Sequence, residues 1–165
     1  VTSGQQRLVL VLPLEPLAVG DSFAVAEWPL HITVLPPFLT ERTVDDVAVL
    51  IAEVAGTQPE LRARAGSAAL FGRKHDIPVT LVVENPELTL LHRRLVEAVR
   101  PLAARPDEPA FTGPGFRAHI TVKGPSRVSK GDELILTQLA LVDMAARADA
   151  AGRAVLATLP LHRFS

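Results

Sequence analysis

The sequence predicts an α+β fold with a largely antiparallel sheet, in a single domain over residues 1–165. Three observations predict it: β-rich apolar runs punctuated by proline and glycine, two segments with apolar residues at helical spacing, and an order of strand, strand, helix, strand, strand, helix and further strands. The chain is 48% hydrophobic and 21% charged. That balance belongs to globular chains and is outside the disordered class, and a chain of this length can bury a real core.

The opening VTSGQQRLVLVLPLEP carries an apolar run too short for a membrane span and lacks a small-residue cleavage site, so Gln6 to Leu12 reads as a first strand. Numbering from Val1 suggests a processed or trimmed start. Leu30 to Leu35 alternates apolar Leu30, Ile32 and Val34 with His31 and Thr33, the pattern of a half-buried strand. Pro36 and Pro37 are expected to end it. Thr43 is a plausible N-cap for a helix with Val44, Val47, Leu50, Ile51 and Val54 on one face. Asp45 and Asp46 suit its first turn, and Gly56 is the expected stop.

Leu61 to Phe71 and Ile77 to Val83 read as two strands joined by GRKHD, a hairpin with a strongly basic tip. Asn85 followed by Pro86 opens a second helix with Leu88, Leu91, Leu95, Val99 and Leu102 on one stripe, ending between Arg100 and Ala104. The Pro- and Gly-rich loop RPDEPAFTGPG then leads to a second alternating strand, Ala118 to Val122. Glu133 to Ala145 and Ala154 to Leu161 supply further strands around a turn near Asp149 to Gly152.

Cysteine is absent, which excludes disulfides, thiolate nucleophiles, iron–sulfur clusters and cysteine-ligated zinc, and suits a reducing cytosol. Few lysines beside many Ala, Arg, Val and Pro residues are compatible with a GC-rich bacterial genome. A net charge of −1 removes any global attraction to nucleic acid, so an RNA-related role requires a local cationic site. There is no H-E-x-x-H, G-x-S-x-G, P-loop or glycine-rich dinucleotide fingerprint. No catalytic metal and no cofactor are expected.

Two of the five histidines stand in identical tetrapeptides, HITV at His31 to Val34 and HITV at His119 to Val122. On a strand, residues two apart share a face, so His31 and Thr33 stand opposite Leu30, Ile32 and Val34. In the second copy Arg117, His119, Thr121 and Lys123 share a face, a short cationic stripe. Brought together, two imidazoles hold one neutral base and one protonated acid near neutral pH, and two hydroxyls can donate to nonbridging phosphate oxygens. A single H-x-T is weak, because both residues are at home on half-exposed strands. Its recurrence with the same Ile and Val partners is what packing alone does not account for.

The paired motifs, flanked as HITVLPPF and HITVKGP, resemble the two-histidine (2H) phosphoesterase superfamily, which includes RNA 2′,5′ ligase-like proteins and cyclic nucleotide phosphodiesterases. The likeness extends to the opening QRLVLVL, the helix LHRRLVEAV and the closing LATLPL, while its specificity rests on the motifs. It implies a bilobal (LigT-like) α+β fold with pseudo-twofold symmetry and a central cleft, each lobe contributing one HxT strand. It also implies metal-free hydrolysis or transfer at 2′,3′-cyclic phosphates or 2′,5′ phosphodiester bonds of RNA termini or small nucleotides; a monomer is expected. His31, Thr33, His119 and Thr121 match the motif residue by residue as the catalytic set.

Many relatives carry an arginine where this chain has Lys123, followed by Gly124 and Pro125; lysine supplies charge without a bidentate grip. The two histidines are equivalent in the motif, and the resemblance assigns His119 as base and His31 as acid. Lys123, Arg117 and Phe38 are candidate substrate-binding residues, Phe38 because an aromatic after the first motif can stack on a base, with core packing as an equal alternative. Trp28 fits a cleft wall or the core, and Arg7 the cleft or an ordinary exposed face. His75 at the basic tip reads as a solvated turn, with contact to an RNA backbone as the alternative; His92 reads as a helix boundary residue and His162 as structural or exposed.

Overall fold

Both faces of β1 (Gln6–Pro13) are covered, which explains its unbroken apolar run. Leu8, Leu10 and Leu12 enter the main core on one face; Val9 and Val11 join Trp28, Ala140, Val142, Met144 and Val155 in a smaller cluster on the other. The computed structural model describes residues 6–103, 115–144 and 152–163. Most of the predicted 105–115 loop and of the predicted turn at 149–152, with Ala145, lies outside them.

The further strands are β2 (Ser22–Phe23), β3 (His31–Thr40), β4 (Leu61–Phe71), β5 (Ile77–Val82), β6 (His119–Thr121), β7 (Glu133–Leu136), β8 (Gln138–Asp143) and β9 (Arg153–Pro160). They form one sheet in the order β2-β9-β8-β1-β3-β6-β5-β4-β7, with antiparallel strand neighbours. The predicted α+β class and antiparallel sheet are what the chain adopts. The two motif strands, distant in sequence, are neighbours in the middle of the sheet.

Helix α1 (Val44–Thr57) starts where Thr43 Oγ1 accepts from the Asp46 amide at 3.1 Å. Helix α2 (Pro86–Val99) starts where Asn85 Oδ1 accepts from the Leu88 amide at 3.1 Å. Each cap satisfies an amide that the first turn leaves without a partner. Val47, Ile51 and Val54 on α1 and Leu88, Leu91 and Leu95 on α2 bury their stripes with Ile32, Val34 and Ile120. The two helices pack on each other, with α1 over β9 and β8 and α2 over β3.

Several boundaries differ from the sequence reading, three of them at the motif strands and α1. β3 runs on to Thr40 past Pro36 and Pro37, because its ladder with β1 shifts register between the Leu10–Leu35 and Leu8–Phe38 pairs. This irregularity takes up the prolines where their missing N–H costs no ladder bond. Gly56 lies inside α1, which ends at Thr57. The second motif strand is shorter than Ala118 to Val122, although those flanking residues are held to β5 through Val82 N–H to Ala118 O and Val122 N–H to Pro78 O, both 3.0 Å.

Candidate functional site

Ile32 pairs with Ile120 across β3 and β6. Both are buried in the core on the helix side of the sheet, so strand alternation sends His31, Thr33, His119 and Thr121 to the opposite face. In an antiparallel pair centred on these isoleucines, His31 stands beside Thr121 and Thr33 beside His119. The site therefore gathers both motifs around one local twofold.

Each histidine makes the same bond. His31 Nδ1 lies 2.8 Å from the Pro29 carbonyl, and His119 Nδ1 lies 2.7 Å from the Arg117 carbonyl, again two residues earlier. A carbonyl only accepts, so Nδ1 carries the hydrogen in both rings and Nε2 is left to take or give a proton. Each ring also meets an aromatic: Trp28 stacks on His31 with centroids 4.1 Å apart, and Phe71 tilts against His119 at 4.6 Å. Cations lie over these aromatics, Arg117 at 5.1 Å from the Phe71 centroid, and Lys123 and Arg153 at 5.8 and 5.4 Å from that of Trp28.

The electrostatics separate the two rings. His31 is 8% exposed, and burial pushes its pKa down from 6.5 to about 4, opposed by the Pro29 carbonyl and assisted by the charges of Lys123, His119 and Arg153. Burial also lowers His119, opposed by the Arg117 carbonyl and assisted by the Arg117 guanidinium. Lys123 is lowered by burial and then by Arg153. A proton on either imidazole disfavours one on the other, so the two rings titrate as a pair, with His31 the more deeply buried of the two.

A cleft of about 640 Å³ opens over this face, and Thr33, His119, Thr121, Arg7, Arg117 and Phe71 are among its lining residues. His31 is not in that lining; it is tucked beneath Trp28. Lys123 and Trp28 line a separate groove, also about 640 Å³. Phe38 is elsewhere: it is 8% exposed and packs in the main core, because the strand continues past the prolines and turns this side chain inward. The aromatic positions at the cleft are Phe71 and Phe116 instead.

Sequence reasoning overlooked two residues and misread a third. Phe71 closes β4 and reaches His119 only because the hairpin folds over the face. Arg153 precedes the strand as predicted from Ala154, and nothing in its local sequence marks it. His92, expected at the edge of the helix's apolar stripe, is fully buried; its Nδ1 donates to the Val34 carbonyl at 2.8 Å and its ring stacks on Phe116 at 4.0 Å and 6°. Among the described residues, no three His, Cys, Asp or Glu side chains group to hold a metal ion, and no helix is long and apolar enough to cross a membrane.

Comparison with solved structures places the architecture. Escherichia coli LigT complexed with 3′-AMP matches with a TM-score of 0.56 at 18% identity, over 95% of this chain and 98% of that one. LigT complexed with phosphate matches at 0.57 and 16%, over 97% and 99%. TT0787 of Thermus thermophilus matches at 0.60 and 16%, over 97% and 100%. At these identities the likeness carries the fold alone. No curated protein matches the chain. The family model of the 2′-5′ RNA ligase superfamily matches residues 12–153, a span that contains both HITV strands, and the chain therefore belongs to this superfamily of two-histidine phosphoesterase and RNA ligase-like proteins.

Proposed function

We propose that this chain is a metal-independent phosphodiesterase that hydrolyses 2′,3′-cyclic phosphate termini of RNA or nucleotides, or 2′,5′ phosphodiester bonds, by two-histidine acid–base catalysis. The observation that carries the reading is the matched pair of Nδ1–carbonyl bonds, which leaves two Nε2 atoms on one face with a threonine beside each. The phosphate lies between the imidazoles. One Nε2 takes a proton from water as its oxygen bonds to phosphorus; the P–O bond to the leaving ribose oxygen breaks, and the other Nε2 gives that oxygen a proton. Thr33 and Thr121 donate to the nonbridging oxygens, while Arg117 and Arg7 offset the charge. The two half-sheets meeting at β3 and β6 act as pseudo-symmetric lobes of one monomeric domain.

The deeper burial of His31, which favours its neutral form, supports His31 as the base and His119 as the acid, the reverse of the direction implied by family resemblance. A phosphate between the rings raises both pKa values and brings the depressed His31 towards working pH. A second reading, joining of an RNA 5′-hydroxyl to a cyclic phosphate, is favoured by the family model's own description: the 5′-hydroxyl takes the place of water and gives its proton to the base, and the P–O bond to the 3′-oxygen breaks as the acid protonates it, leaving a 2′,5′ bond. A non-enzymatic RNA-binding role needs fixed charge rather than two titrating groups.

The test is turnover of nucleoside 2′,3′-cyclic phosphates, cyclic-phosphate-ended oligonucleotides and 2′,5′-linked oligoadenylates in EDTA, with His31→Ala/His119→Ala as control. Monoester formation that the double variant loses supports hydrolysis. A 2′,5′-joined product from cleaved RNA halves would shift the reading to ligation, and binding with no turnover at substrate excess would defeat both.

A further inference from the structure

The tip of the β4–β5 hairpin belongs to the same cleft. Gly72 and His75 lie in its lining with Thr33, which comes from the other half of the sheet, so the hairpin folds over the face that carries the histidines. The fold is specified locally. Gly72 has φ +93°, and a Cβ there would stand 2.9 Å from Ile77 Cδ1, while His75 has φ 51°, a left-handed conformation uncommon outside glycine. This turn presents Arg73 and Lys74, both exposed.

The tip has two further properties. Among the described residues none of Arg7, Arg73, Lys74 and Arg117 is ion-paired with a carboxylate, and no Asp or Glu lies in the cleft lining; Asp76 is the one acid within the turn. Below the tip, Leu70 and Ile77 are 56% and 44% exposed although both line the cleft. Unpaired cations beside exposed apolar surface suit a single strand, whose phosphates take the charge and whose nucleosides take an apolar contact.

We propose that the β4–β5 hairpin is a strand-binding wall: Arg73 and Lys74 hold phosphates of an RNA chain whose reacting end occupies the two-histidine site, and Leu70 and Ile77 contact the intervening nucleoside. The inference rests on the phosphodiesterase reading and narrows its substrate class, making an oligonucleotide terminus the preferred substrate over a mononucleotide. The net charge of −1 is compatible with this, because the wall needs only the local cations at the hairpin tip and in the cleft, Arg73, Lys74, Arg7 and Arg117, and no global attraction.

The experiment compares wild type with Arg73→Ala/Lys74→Ala on a mononucleoside 2′,3′-cyclic phosphate and on a six-nucleotide RNA ending in one. The double variant should lose about tenfold in kcat/KM on the RNA and remain within twofold on the mononucleotide. The slope of log kcat/KM against log salt for the RNA should shrink by about 1.4, roughly 0.7 for each lost phosphate contact on a single strand. Equal effects on both substrates, or none on either, would overturn the proposal. Fluorescence anisotropy with a labelled RNA ending in a 3′-phosphate keeps the two readings apart. If wild type turns over neither substrate, the phosphodiesterase reading fails, yet weaker RNA binding by the double variant still supports the wall and unchanged binding removes it.

Discussion

Ile32 and Ile120 pair across the one junction of the sheet where β3 meets β6, and both are buried in the core beneath the helices. That relationship makes a packing contact the organiser of the proposed two-histidine site. With the isoleucines committed to the helix side, the residues on either side of each have no choice but the cleft face, and the antiparallel register sets each histidine beside the other motif's threonine. The apolar half of HITV is thus the positioning device for the polar half.

Truncating this pair should therefore cost more than stability. Ile120→Ala is expected to destabilise by about 2–5 kcal/mol, with Ile120→Val at about 0.5–1.5 kcal/mol. Urea midpoints measure both. Under conditions where each variant is fully folded, kcat should fall further for alanine than for valine, because a looser junction lets the imidazoles drift.

Replacing either His31 or His119 with alanine should lower kcat by about 10² or more, the usual contribution of a positioned acid or base. Thr33→Val and Thr121→Val, which keep shape but remove a donor to the developing charge, should each cost on the order of 10². EDTA should leave wild-type rates unchanged. Losses under about tenfold for both histidine variants would remove acid–base catalysis at this site.

The direction of proton transfer has its own test. With a p-nitrophenyl phosphodiester the leaving group departs without protonation, so loss of the acid is largely rescued and loss of the base is not. With the buried, neutral-favoured His31 as base, rescue is expected of His119→Ala and none of His31→Ala. The opposite pattern would restore the direction that resemblance implies.

Stability should report the burial of His31 directly. Its folded pKa is about 4 against 6.5 in the unfolded chain. Between those values the unfolded chain binds a proton that the folded one does not, so stability is fully present above pH 6.5 and is lost as pH falls towards 4. The contribution is on the order of 3 kcal/mol. His119, also lowered by burial, adds a contribution of the same sign. Urea unfolding between about pH 7.5 and 4 should give His31→Gln a flatter profile than wild type, and parallel profiles would show that His31 is not held neutral.

The hairpin, both helix starts and both motif strands were legible because each has a local cause: GRKHD for the turn, Thr43 and Asn85 for the caps, alternation for HITV. What was not legible depended on distant partners. Pro36 and Pro37 signal a strand end until β1 supplies the register shift that accommodates them. Phe38 and Phe71 are indistinguishable as sequence; only the course of the chain sends one into the core and the other against His119. Arg153 reaches Trp28 from the other side of β1 and β8, a relationship no short-range pattern encodes.

His92 shows the same dependence and yields the most specific prediction. Its Nδ1–H donates to the carbonyl of Val34, the residue after Thr33, and its ring lies parallel to Phe116, the residue before Arg117, whose carbonyl in turn holds His119. One buried side chain of α2 thus braces both motifs from below without touching the cleft face. His92→Phe preserves an aromatic against Phe116 but removes the donor to Val34, whereas His92→Ala removes both and opens a cavity. The alanine variant should lose more stability, on the order of 3 kcal/mol. If His92 positions the site, the folded phenylalanine variant should show a lower kcat with KM within about twofold, because the ground state still binds while the Thr33 hydroxyl and the His119 ring are less well aimed. Unchanged kcat in that variant would reduce His92 to a core residue.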